Sequence, residues 1–146
     1  MNLLTLLNFT ILAADREYET VEPMEQNVYK GGVLDTLYKG SLLMQNASGY
    51  AIVAADGAQA SLTFPIGICT KQVSVAGAFA EDVVVENGRM WLQHTSAART
   101  DVGDIFYATD DNDIAESTSG IDPLGLCVGF KTGYLLIDTR IKSVKV

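Results

Sequence analysis

The chain has 146 residues, enough for one domain with a real core, and 48% of them are hydrophobic against 19% charged, which excludes a disordered chain. The net charge of −8 excludes a protein whose main work is gripping nucleic acid, because that work needs clustered Lys and Arg to displace counterions. The acidity is uneven: residues 80–122 hold ten acids against Arg89 and Arg99, whereas residues 131–146 hold Lys131, Arg140, Lys142 and Lys145 against Asp138. This reads as a solvated acidic face, with a basic tail able to meet an acidic patch on a neighbouring chain.

In chain order, Met1 to Leu12 is an apolar stretch interrupted by Thr5, Asn8 and Thr10. It has no basic residue before Arg16, so it lacks the positive start of a secretory signal, and it is too short to span a bilayer. The expectation is an apolar N-terminal arm, buried in its own domain or against a partner, with Leu3, Leu4, Leu6, Leu7, Phe9 and Ile11 as its contact residues. Asp15 to Gln26 is polar and acidic and reads as a connector, so that 1–26 is arm and connector and 27–146 is the β domain.

The stretch from Asn27 to Gln45 repeats an apolar-Tyr-Lys-Gly unit, first at Val28–Gly31 and again at Leu37–Gly40. The second unit continues into Ser41, but Lys-Gly-Ser is the wrong order for a phosphate loop and precedes a strand pattern. Both units read as glycine turns flanking Val33–Thr36. Tyr29, Lys30, Tyr38 and Lys39 are the corresponding interface candidates, since tyrosine offers apolar area with a polar tip.

Short β-branched and aromatic runs then follow at 41–45, 50–54, 67–73, 83–86, 90–94, 105–108, 114–116, 126–130 and 134–139, separated by Gly, Asn and Asp punctuation. Asn87-Gly88 predicts a two-residue hairpin between Val83–Glu86 and Arg89–Leu92, and Lys131-Thr132-Gly133 predicts a second. Residues 96–102 could hold one helical turn. The pattern predicts a mostly β fold, a small β-barrel or β-sandwich with short hairpins and little helix.

Site chemistry is sparse. The single histidine, His94, ends a strand pattern and reads as structural. Cys69 and Cys127 each lie in an apolar run and read as buried free thiols, consistent with a reducing compartment. Asp110–Asp113 fails the calcium-loop spacing, because Glu116 stands where glycine is required, and reads as a polar hairpin tip. Gly103–Tyr107 is glycine entering a strand and not a dinucleotide fingerprint. No catalytic residue, cofactor or metal is expected. Trp91, the only tryptophan, lies mid-strand, where burial is the expectation.

An ordered series of motifs carries a resemblance. Gly40-Ser41-Leu42-Leu43 is followed by Pro65-Ile66-Gly67-Ile68 and then by Val83–Gly88. Gly103–Ala108, Leu124–Gly129 and Leu135–Arg140 complete the series. Over residues 28–142 it resembles the small capsid decoration (cement) proteins of tailed bacteriophages. It departs from them in the apolar arm and in Gly120-Ile121-Asp122-Pro123. The resemblance implies a non-enzymatic virion protein made in the host cytoplasm. Such a protein binds the outer face of the expanded capsid, often as a homotrimer, and clamps major capsid protein subunits together, with no nucleic acid or membrane as partner. The competing readings are a β-sandwich binding module for carbohydrate or adhesion, or a tail or baseplate component.

Overall fold

In the computed structural model, residues 12, 14–32, 36–54, 64–76, 79–116 and 122–143 are described. Among these residues, eleven strands run in the order β1 (Glu19–Lys30), β2 (Thr36–Leu37), β3 (Leu42–Gln45), β4 (Ala51–Val53), β5 (Phe64–Cys69), β6 (Val73–Ser74), β7 (Asp82–Gln93), β8 (Ile105–Ala108), β9 (Ile114–Ala115), β10 (Gly125–Lys131) and β11 (Tyr134–Asp138). The only helical element among the described residues is a 3₁₀ turn at Arg99–Asp101. The fold is mostly β, and its main sheet curls into a half-barrel.

The long strand β7 organises the sheet. One of its edges is covered by β1 along residues 82–91. Its other edge is divided, with β5 pairing at Val85 and Glu86 and β11 pairing from Arg89 to Gln93. The sheet therefore forks at β7. One limb runs β5, β3, β4 and the other runs β11, β10, β8, β9. The curl brings the limbs back together, where Leu42 N donates to Asp111 O at 2.8 Å.

Asn87-Gly88 is not a hairpin: it lies inside one continuous twelve-residue strand. What changes across the pair is the face that is covered: odd positions Val83 and Val85 are buried in one apolar cluster, and even positions Met90 and Leu92 in another on the opposite face, as regular strand alternation requires. Gly88 has φ of +149°, and a Cβ there would stand 2.6 Å from both Pro23 O and Met24 Sδ. Opposite it, β1 accommodates the irregularity between Val21 and Met24. The buried Thr139 side chain holds the pair: its Oγ1 accepts from Gly88 N at 2.8 Å, and its hydroxyl lies against Asn87 Oδ1 and Gly88 O. The Asn-Gly signal was a true mark of unusual backbone, but β1 pairs with both halves of β7 and keeps them in one strand.

Two cores result. The larger fills the inside of the curl with Leu42, Met44, Ile68, Met90, Leu92, Phe106, Leu135 and Ile137 among others. The smaller lies on the opposite face of β3, β5 and β7 and contains Leu37, Leu43, Ile66, Val75, Val83 and Val85. The short β2–β6 pair contributes to it through Leu37 and, at its margin, Val73. Because β3 is sandwiched between the cores, its Leu42-Leu43-Met44 run is apolar on both faces.

Several elements differ from the sequence expectation. Glu19 to Gln26, expected as connector, is the first part of β1, whose pairing with β7 outweighs its polar composition. Tyr29-Lys30 closes that strand and is not a turn, whereas Lys39-Gly40 is one. The Thr132-Gly133 hairpin joins β10 to β11 as expected, with Lys131 opposite Tyr134.

Candidate functional site

The Leu12–Tyr18 strap is held to the β domain by a cluster of polar contacts. Leu12 N donates to the Asp111 carboxylate at 3.1 and 3.4 Å. Lys39 N donates to Asp15 Oδ1 at 2.9 Å, and Arg16 N donates back to Lys39 O at 2.9 Å. Arg16 Nε donates to Gly40 O at 2.7 Å, and Arg16 Nη1 contacts Asn112 Oδ1. Gly40, with φ of +88°, leaves room for this arginine, since a Cβ would stand 2.3 Å from Arg16 Cγ. The turn glycine of the second Tyr-Lys-Gly unit is thus the seat of the strap.

Asp111 was expected at a polar hairpin tip. The β8–β9 hairpin forms, but Asp111 turns inward and is 2% exposed. Ser41 Oγ donates to it at 3.4 Å. Burial pushes its carboxyl up to about 6, with Asp110 adding to the shift, against the pull of the Leu12 N–H, Ser41 and Arg16. Burial also lowers Arg16, against the nearby Asp111 and Asp110 charges.

The interface candidates fall in different places. Leu3, Leu4, Leu6, Leu7, Phe9 and Ile11 lie outside the described residues. Tyr29 packs against the smaller core, and Lys30 pairs with Asp82 at 2.5 Å. Tyr38 is half-buried, and Lys39 pairs with Glu17 at 2.9 Å. The two lysines are thus held by different acids, one at the start of β7 and one on the strap.

His94 contacts Ser96 Oγ at 3.3 Å and meets Phe106 edge-on. Burial pushes the Cys69 thiol up to about 11 and raises Cys127 as well, so both sulfurs are held protonated. The carboxylates of Asp101, Asp104 and Glu116 lie within 4.8 Å of one another. There, hydrogen bonding to Asp104 and then to Asp101 raises Glu116 above the usual carboxylate range. Spacing in the sequence did not reveal this triad, because Glu116 reaches it only through the β8–β9 hairpin.

The surface cavities include two lined by described residues. One, of about 260 Å³, is lined by Phe64, Pro65, Asp122, Pro123 and Lys142. The other, of about 330 Å³, is lined by Glu17, Tyr18, Glu19, Trp91, Lys131 and Tyr134. Trp91 is therefore half-buried at a surface cavity instead of lying in the core. The strand alternation contains that signal: Met90 and Leu92 point into the curl, so Trp91 must point out.

Among the described residues, no helix is long and apolar enough to cross a membrane. No protein-family model matches the chain, and no curated protein sequence matches it.

Proposed function

We propose that this chain is a structural virion protein, a decoration protein that binds the outer surface of a phage capsid and cross-links major capsid protein subunits. The observation that carries the reading is the strap. Backbone and side-chain contacts hold Leu12, Asp15 and Arg16, which follow the apolar sequence Met1–Ile11 along the chain, to the domain at Lys39–Gly40 and Asp111–Asn112. A load-sharing cross-link needs an adhesive segment and a firm attachment to a folded body, and the strap supplies the attachment. The ordered glycine-led strand motifs of residues 28–142 add the family resemblance.

The mechanism is mass action. A protein that binds the assembled shell and not its free parts stabilises the shell by its binding free energy. An extended apolar arm adds affinity by pairing with a neighbour's sheet edge, where main-chain hydrogen bonds hold it and alternate side chains fill pockets. Homotrimers would place three such arms around one capsid axis.

The test is co-sedimentation with purified expanded and unexpanded capsids of the phage that carries the protein, beside light scattering for oligomeric state. The full chain is expected on expanded capsids alone, and a chain lacking residues 1–11 is expected to occupy them at least roughly tenfold less at equal concentration. Absence of binding to either capsid overturns the function. Undiminished occupancy by the shortened chain overturns the role of the arm.

A further inference from the structure

We propose that the cavity between Trp91 and the Glu17–Glu19 strap is a binding site for a neutral saccharide. It lies on the outer face of the curled sheet. Trp91 on β7 stands between Glu19 on β1 and Leu136 on β11 in one cross-strand row. Its ring reaches across β11 to Gly129, where a Cβ would be 3.5 Å from the indole. The neighbouring row brings Tyr134 and Lys131 together at the β10–β11 turn. The outcome is an aromatic floor with polar groups at its margin, in a cavity of about 330 Å³, a size that suits a small ligand.

The charges select the ligand class. Lys131 Nζ already stands 4.4 Å from the Trp91 ring centroid and 5.4 Å from that of Tyr134, with Glu19 at 3.6 Å. The floor thus already has its cation, and a second cation would meet Lys131 directly. An anion would meet Glu17 and Glu19, which with Lys131 leave the lining at a net charge of −1. An uncharged ligand with an apolar face and a polar rim meets no like charge, and the Lys131 side chain, 44% exposed, swings from the ring faces to the rim to admit it. A pyranose ring has that form: its C–H face stacks on indole or phenol. Its hydroxyls donate to the Glu17 and Glu19 carboxylates and accept from the lysine ammonium.

The floor is also preorganised. Tyr18, which lines the cavity and packs against the larger core, is fixed by its OH donating to Glu86 at 2.7 Å, and burial followed by the Glu86 bond keeps its hydroxyl protonated. Glu17 is held by Lys39, so the strap that seats the arm also forms one wall of the cavity. The saccharide inference stands on this geometry and does not require the capsid reading.

Because Trp91 is the only tryptophan, intrinsic fluorescence of the full chain reports this site directly. The titrants are maltohexaose, cellohexaose and the N-acetylglucosamine hexamer, with tetramethylammonium and glucuronate as charged comparators. A saturable change in Trp91 emission is expected with at least one neutral hexamer, at a dissociation constant on the order of 1 mM. Tyr134→Ala is expected to weaken it roughly tenfold, the scale of one lost aromatic contact. Glu17→Gln, at a side chain 87% exposed and so without consequence for folding, is expected to weaken it severalfold. No saturable change with any neutral hexamer up to about 20 mM overturns the proposal. So does a response confined to tetramethylammonium or glucuronate, or a response that both variants leave intact.

Discussion

Replacing Thr139 by Val tests the physical basis of the two-core fold. Thr139 is fully buried, and its Oγ1 accepts the Gly88 N–H at 2.8 Å where the packing of β7 passes from one core to the other. Valine has nearly the same shape, so the substitution removes the hydroxyl without opening a cavity. The Gly88 N–H is then left buried without that acceptor, at a cost of about 1–3 kcal/mol. Asn87 is half-buried and can turn its amide toward solvent, which limits the further loss. A loss of about 2 kcal/mol in a 146-residue chain corresponds to a fall in Tm of roughly 6 °C. The assay is urea unfolding followed by circular dichroism, with Thr139→Ser alongside. Serine keeps the hydroxyl and loses one methyl, for about 0.8 kcal/mol. The midpoint is expected to fall further for valine than for serine, with the slope unchanged. Equal losses, or a larger loss for serine, would show that packing and not the hydrogen bond holds Gly88 in place.

Two further substitutions probe the same framework. Gly88→Ala is expected to destabilise by about 3 kcal/mol, since it combines positive-φ strain with a Cβ 2.6 Å from the Pro23 carbonyl oxygen. Gly133→Ala carries comparable strain (φ of +81°) with no atom within 4 Å of its Cβ, so its loss is expected near 1 kcal/mol, and the two are compared by urea melts. Asp111→Asn addresses pH. The folded carboxyl titrates at about 6, above the ordinary 3.8, so its contribution to stability is fully present below about pH 4 and is lost as pH rises through 6. Relative to wild type, the asparagine variant is therefore expected to gain on the order of 2–3 kcal/mol between pH 4 and pH 7. A constant difference between the two proteins across that range would contradict the buried-carboxylate account.

Local chemistry made much of this protein legible from its sequence. Alternating β-branched runs and their Gly, Asn and Asp breaks marked most of the core strands, because period-two patterning and turn preferences act within a few residues. The same signals placed Thr132-Gly133 in a hairpin and Cys69 and Cys127 in the interior. Contacts between distant segments decided the rest. Glu19–Lys30 became a strand only because β7 offered an edge, and Asn87-Gly88 became the middle of a strand instead of a turn because β1 spans both sides of it. Asp111 left the expected solvated tip for a buried seat because Leu12 N and Ser41 Oγ, 99 and 70 residues away in sequence, meet it there. The Trp91 cavity likewise draws on the strap, β7 and the β10–β11 hairpin. Each segment reads as an ordinary strand or turn alone, and only the curl of the sheet brings their side chains to one place.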